Sequence, residues 1–179
     1  MTNLNLATLN LIIGPMFSGK TTELLRIAKR LKSINLNVLL LNYFEDKRYS
    51  NSEMSTHDKN GLPCIFIKDL NLINYEEYDI ICINEAQFFE NLILFCKNAL
   101  GKNKTIYICG LDGDYKQEKF GEILDLIPLC DSITKLHAFC SICKDGTHAH
   151  FTKRIIDNNK QKLIGTNEYL PVCRKHLIK

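Results

Sequence analysis

The sequence carries little excess charge of either sign. Its 23 basic and 20 acidic side chains leave a formal net charge of +3, too mild for a surface built to grip nucleic acid or an anionic membrane. No apolar run approaches the roughly 20 residues that span a bilayer. The first residues, Met1-Thr2-Asn3-Leu4-Asn5, lack the basic region that precedes the apolar stretch of a secretory signal. These absences lead to the expectation of a cytoplasmic protein with no membrane partner. Internal repeats and low-complexity tracts are missing too, so no repeat array or long linker is expected.

What is present is an ordinary globular composition. Hydrophobic residues make up 45% and charged residues 24% of 179 positions, enough for one domain with a buried core and a small appendage. Of eight cysteines, Cys64, Cys82, Cys96, Cys109 and Cys130 stand singly in apolar segments and read as small buried hydrophobes. Cys140, Cys143 and Cys173 differ. They belong to a C-x-x-C and a C-x-x-H, a pattern that in a reducing compartment points to metal before disulfide.

Short apolar runs over 9–13, 38–41, 64–67, 78–83, 105–111 and 133–136 read as strands. Helical patterns fall between them, over 21–32, 88–100 and 120–129. Residues 45–62 are polar without a period and read as a loop. The alternation predicts an α/β fold with a parallel sheet covered by helices on both faces. After Phe139 the pattern changes, so a boundary is expected near residue 137. It separates an α/β domain over 1–137 from a subdomain over 138–179. The latter is too small to hold a core alone, a deficit that a bound metal remedies.

Gly14-Pro15-Met16-Phe17-Ser18-Gly19-Lys20-Thr21 fits G-x-x-x-x-G-K-[ST] between a predicted strand and a predicted helix, the context this phosphate loop requires. Backbone N–H groups of such a loop wrap phosphate oxygens, and a side chain at Gly19 would block that approach. The helix N-terminus adds positive partial charge. Lys20 neutralises the β- and γ-phosphates, and the Thr21 hydroxyl is placed to ligate Mg²⁺. Gly14 to Thr21, with Thr22 behind them, form the expected ATP site of a P-loop NTPase-type sheet. A second strand ends in Asn84-Glu85, where P-loop proteins face the Mg²⁺ and the γ-phosphate. Neutral Asn84 can hold a water of the Mg²⁺ shell. Glu85 suits a general base that takes the proton of an attacking hydroxyl; a helix-capping carboxylate is the other reading. Cys140-x-x-Cys143 and Cys173-x-x-His176, twenty-nine residues apart, supply four ligands for a closed, structural tetrahedral Zn²⁺. His148 and His150 are either competing ligands or solvated loop residues.

With these stretches in place, the chain resembles the thymidine kinases of the zinc-carrying, tetrameric type. The resemblance rests on Ile13 to Thr21, Asp46-Lys47-Arg48-Tyr49, Ser55-Thr56-His57-Asp58 and Glu85-Ala86-Gln87-Phe88-Phe89. It continues through Leu111-Asp112-Gly113, Lys119-Phe120-Gly121 with Leu126-Ile127-Pro128-Leu129, Cys140-x-x-Cys143, Thr152-Lys153-Arg154 and Tyr169-x-x-Val172-Cys173-Arg174-x-His176. They follow the family's order over nearly the whole chain. The resemblance implies transfer of the γ-phosphate of ATP to the 5′-hydroxyl of thymidine, a step of nucleotide salvage. It makes Glu85 the base, with Lys20 and Arg48 holding the migrating phosphoryl group. Met16, Phe88, Leu111, Tyr115 and Phe120 would line the thymine pocket, and Thr152 and Tyr169 would belong to a lasso-like loop closing over it. The zinc would clamp the base of that loop. A homotetramer inhibited by dTTP is also implied. Without the resemblance, Met16 and the aromatics read as core positions, and Arg48 as a solvated loop charge.

Some residues depart from the family pattern. Asn84 stands where an Asp is usual, and Asp114-Tyr115 replace the usual Thr-Phe pair. The stretches 143–152 and 165–169 differ from it in length. Two other readings stay open: a P-loop ATPase whose zinc ribbon binds nucleic acid, and a family member with a regulatory role. The tail lacks the interleaved basic and aromatic stripe that the first requires.

Overall fold

The computed structural model describes residues 7–46, 52–55 and 61–178. Lys47, Arg48, Tyr49, Thr56, His57 and Asp58 lie outside the described residues. The chain runs through β1 (Leu9–Ile13), α1 (Lys20–Lys32), β2 (Val38–Tyr43), β3 (Glu53–Ser55), β4 (Gly61–Pro63), β5 (Ile65–Ile67), β6 (Ile80–Ile83), α2 (Leu92–Gly101), β7 (Thr105–Gly110) and β8 (Ser132–Lys135). Six of the strands form one sheet in the order β5-β2-β6-β7-β1-β8, and every neighbouring pair is parallel.

The inner strands read as largely apolar runs because both faces of the sheet are covered there, whereas the edge strand β8 is exposed. Alternate residues serve opposite cores. Leu9, Leu11, Leu39, Leu41, Ile81, Ile83, Ile106 and Ile108 meet Leu92, Phe95 and Cys96 of α2. Ile12, Val38, Leu40, Ile80 and Cys82 meet Leu24, Leu25 and Ala28 of α1. Each such Leu or Ile contributes about 1.5–3 kcal/mol relative to an exposed one. A slip of one residue would exchange the two sets, so the register is fixed by both helices together. In α1, Glu23 in the first turn and Lys29, Arg30 and Lys32 in the last complement the helix dipole.

Four details differ from the sequence reading. Within 45–62, Glu53–Ser55 pairs antiparallel with Gly61–Pro63, and Met54 is fully buried against the α1 core. The helix expected from Phe88 starts at Leu92. Ala86–Phe88 forms a 3₁₀ turn, and Asn91 takes a left-handed backbone conformation at φ 58° that reorients the chain first. The helix expected from Phe120 is a 3₁₀ segment over Ile123–Leu129; Pro128 offers no N–H and ends regular pairing there. Of the five single cysteines, Cys82, Cys96 and Cys109 are buried, while Cys64 and Cys130 are half-buried. Burial pushes the Cys82 and Cys96 thiols up to about 12, so they remain neutral and inert.

Beyond the sheet come β9 (Ala138–Phe139), β10 (His148–Ala149), β11 (Phe151–Arg154), β12 (Tyr169–Val172) and α3 (Arg174–Leu177). β9 pairs antiparallel with β10, and β11 with β12. Their core is small: Ala138, Cys140, Ala149 and Val172. Among the described residues, no helix is long and apolar enough to cross a membrane.

Candidate active site and metal cluster

The phosphate loop leaves the carboxyl end of β1 and turns into α1. The protein leaves open space around a Cβ built at Gly19. What demands glycine within the fold is the backbone, at φ 80° in the left-handed region as the helix cap. The Ser18 hydroxyl and the Lys20 ammonium both donate to the Pro15 carbonyl, at 2.8 and 2.6 Å. These bonds curl the loop into a cup at the amino end of α1, where unpaired N–H groups and a positive partial charge attract phosphate.

The end of β6 supplies the acid. Glu85 itself is left-handed, at φ 53° and ψ 41°, a conformation uncommon outside glycine that directs its side chain away from the strand's path. Gln87 Nε2 donates to Glu85 Oε2 at 2.6 Å, while Gln87 Oε1 accepts from the Leu111 amide at 3.0 Å. The glutamine thereby ties the carboxylate to the end of β7. At Gly121, φ 62°, a Cβ would collide with the Gln87 carbonyl, so glycine is needed there for the 3₁₀ turn to pack. Asn84, only 3% exposed, accepts from the Thr21 hydroxyl at 3.1 Å.

A cavity of about 260 Å³ opens beside these groups, close to the lower end of small-molecule sites, about 300 Å³. Met16, Phe17, Ser18, Gly19, Lys20, Thr21 and Thr22 line one side, and Glu85 stands among them. Phe88, Leu111, Tyr115, Phe120, Thr152 and Tyr169 line the rest. The two expected groups, phosphate and substrate, thus share one space. Phe88 and Phe120 meet edge to face at 5.3 Å, a favourable aromatic geometry. Gly14, Pro15 and Asn84 are not in the lining; Asn84 sits behind Thr21. Arg48 lies outside the described residues.

Several contributors escape sequence reasoning. Arg154, at the end of β11, sends its guanidinium to the carbonyls of Asn158, Lys160 and Gln161 and to the Tyr169 hydroxyl at 2.5 Å. It also stacks 3.8 Å from the Tyr115 ring centre. One planar fork therefore organises the segment between β11 and β12 and braces a cavity wall. Gln161 donates to Asp114 at 2.8 Å, and Lys162 donates to the Tyr43 hydroxyl at 2.8 Å and pairs with Glu45 at 2.7 Å. Thr152 Oγ1 accepts from the Met16 amide at 3.0 Å, joining this segment to the phosphate loop. The one sequence signal was the Thr152-Lys153-Arg154 stretch; the partners of Arg154 follow no local pattern.

The predicted metal ligands converge. The ligand atoms of Cys140, Cys143, Cys173 and His176 all lie within 4.8 Å of one another. The closest approaches are 3.4 Å from Cys143 and from Cys173 to His176 Nδ1, 3.6 Å from Cys140 to the same nitrogen, and 3.8 Å between the Cys143 and Cys173 sulfurs. A tetrahedron with Zn–S bonds of about 2.3 Å has edges of about 3.8 Å, so the cluster has the size that zinc requires. Burial opposes charge on Cys140, yet the amides of Cys143, Cys173 and Ile142 outweigh it and draw its thiol down to about 5. Burial and the neighbouring Cys140 and Cys173 push Cys143 the other way, up to about 11, so Cys140 carries the thiolate of the pair and a bound metal would displace the proton of Cys143. His148 and His150 are exposed and stand outside this cluster; the His148 ring stacks on His137 at 3.7 Å.

A sequence model of the thymidine kinase family matches residues 7–177. A thymidine kinase of Oryza sativa subsp. japonica is 42% identical across 95% of this chain, which spans 66% of that protein. The thymidine kinase of sheeppox virus (strain KS-1) is 43% identical, covering 93% of this chain and 94% of its own length. The cytosolic thymidine kinase of Bos taurus is 38% identical over 93% of this chain and 70% of its own. A match that runs almost end to end, with relatives this similar in plants, mammals and viruses, shows that the chain belongs to the thymidine kinase family.

Proposed function

We propose that this chain transfers the γ-phosphoryl group of ATP to the 5′-hydroxyl of thymidine, giving dTMP and ADP. The observation that carries this reading is one cavity shared by the phosphate loop, Glu85 and an aromatic wall. The amides of the loop from Phe17 to Thr22 hold the triphosphate, with Gly14 and Pro15 shaping the loop behind them, and Lys20 offsets its charge. Thymine lies against Phe88, Phe120, Tyr115, Met16 and Leu111. Thr152 and Tyr169 anchor the segment that covers it. Glu85 removes the 5′-hydroxyl proton as the phosphorus–oxygen bond forms, and Gln87 fixes the rotamer from which it does so. Arg48 adds a guanidinium to the migrating phosphoryl group. The remaining catalytic effect is positioning and charge stabilisation.

Mg²⁺ bound with ATP would supply charge that neutralises the phosphates. Thr21 would hold the ion through its hydroxyl oxygen, and Asn84, behind it, would act by fixing that hydroxyl. Zinc on Cys140, Cys143, Cys173 and His176 clamps the base of the covering segment and takes no part in the chemistry. The boundary at residue 137 separates the kinase sheet, 1–137, from this zinc unit, 138–179. A homotetramer, inhibition by dTTP and a cytoplasmic location complete the reading. The first two rest on the family resemblance, and the third is supported by the relative named cytosolic.

Purified protein given ATP, Mg²⁺ and thymidine is expected to form dTMP and ADP in equal amounts, with no stimulation of ATP hydrolysis by single-stranded DNA. ATP binding without dTMP, or hydrolysis driven by DNA, contradicts the proposal and favours a nucleic-acid-dependent ATPase.

A further inference from the structure

Asn42, the penultimate residue of β2, and Asn84, just past the end of β6, each lie one residue beyond the paired Leu41 and Ile83 of these parallel strands. Both side chains are 3% exposed. Asn42 Oδ1 accepts from Asn84 Nδ2 at 3.0 Å and from the Tyr43 amide at 3.0 Å. Asn42 Nδ2 faces Asp46, at 3.3 Å from its Oδ2 and 3.4 Å from its carbonyl. The Asn42 amide is therefore held at both ends. A flip would set Oδ1 against a carboxylate and Nδ2 against an N–H. Asn84, in turn, must offer a donor to Asn42, which leaves its Oδ1 to accept from the Thr21 hydroxyl at 3.1 Å and the Cys109 thiol at 2.8 Å. Once the Thr21 proton points at Asn84, the lone pairs of the Thr21 oxygen are left for a ligand in the cavity that Thr21 lines.

We propose that Asn42 is a positioning residue: by fixing the Asn84 amide it aims the Thr21 oxygen at the cation that accompanies ATP. This rests on the thymidine kinase reading for the identity of the nucleotide, and it has a chemical consequence. A carboxylate at 84 adds charge beside the cation. It also places an acceptor 3.0 Å from the fixed Asn42 Oδ1, where neither group carries a hydrogen to share. The two asparagines form a matched neutral unit, so an acid at 84 alone harms the site.

The test is a double-mutant cycle on ATP affinity, measured by titration calorimetry with Mg²⁺ and with a chelator in its place. Asn84→Asp is expected to weaken MgATP binding about tenfold where Asn42 is present. In the Asn42→Ala background the same change costs about threefold or less, because the opposing acceptor is gone. Tighter or unchanged MgATP binding by Asn84→Asp overturns the proposal, as do two effects that simply multiply. Should Asn84→Asp fail to fold, Asn42→Ser carries the test. It is expected to weaken MgATP binding about fivefold with metal-free ATP binding unchanged; equal losses in both overturn it. Because these titrations contain no thymidine, coupling in a protein that forms no dTMP would sink the kinase reading and leave the role of Asn42 standing.

Discussion

Glu85→Gln lowers the turnover number by about 10²- to 10⁴-fold, the usual contribution of a positioned base, and leaves the dissociation constants of ATP and thymidine within about threefold of their original values. The substitution keeps the shape of the side chain. Its amide oxygen can still accept from Gln87 Nε2, which stands 2.6 Å from the carboxylate, so the turn through Ala86–Phe88 retains its geometry. What disappears is the capacity to accept a proton. The effect therefore falls on the chemical step and not on binding, a division that steady-state kinetics and calorimetry together resolve. A turnover number within about fivefold of the unaltered protein would remove Glu85 from the base role.

Metal removal has the second largest effect. Loss of zinc, by a strong chelator or through Cys173→Ala, is expected to weaken thymidine binding at least about tenfold and to lower the melting temperature. The reason is how little else holds the small unit together: its core cluster has only Ala138, Cys140, Ala149 and Val172 as buried members among the described residues. The ligand cluster joins the turn after β9 to the end of β12. β11 and β12 in turn carry Thr152, Arg154 and Tyr169, the anchors of the covering segment. ATP affinity should fall less, because the phosphate loop is built on β1 and α1, with the bond from the Met16 amide to Thr152 joining the unit to it. Zinc content near one ion per chain, and recovery of thymidine binding on adding zinc back, accompany the result. Metal-free protein that keeps its melting temperature and its thymidine affinity would contradict a structural role.

Much of this was legible in the residues, for physical reasons. β1, β2, β6 and β7 lie in the middle of a sheet covered on both faces, so their sequences are largely apolar. The phosphate loop and the two knuckles are local in sequence, and their chemistry demands fixed spacing. Contacts made at a distance were not legible. Met54 is a lone apolar residue in a polar stretch, and its burial depends on how β3 meets α1. Arg154 looks like any basic residue until the segment between β11 and β12 folds its carbonyls around the guanidinium. Asn42 is a polar residue near the end of a hydrophobic strand, and only the parallel register of β2 with β6 brings it to Asn84. The late start of α2 follows from Asn91 adopting φ 58°, which asparagine tolerates and no periodicity announces.

The whole reading depends on a nucleoside alcohol lying between Glu85 and the nucleotide. A crystal structure with thymidine and a non-hydrolysable ATP analogue tests this most directly, through the distance from the 5′-oxygen to the Glu85 carboxylate. Hydrogen-bonding reach, about 2.6–3.2 Å, with the base between Phe88 and Tyr115, is the expected result. A 5′-oxygen beyond the reach of Glu85, or a cavity that holds the triphosphate and excludes the pyrimidine, would contradict it.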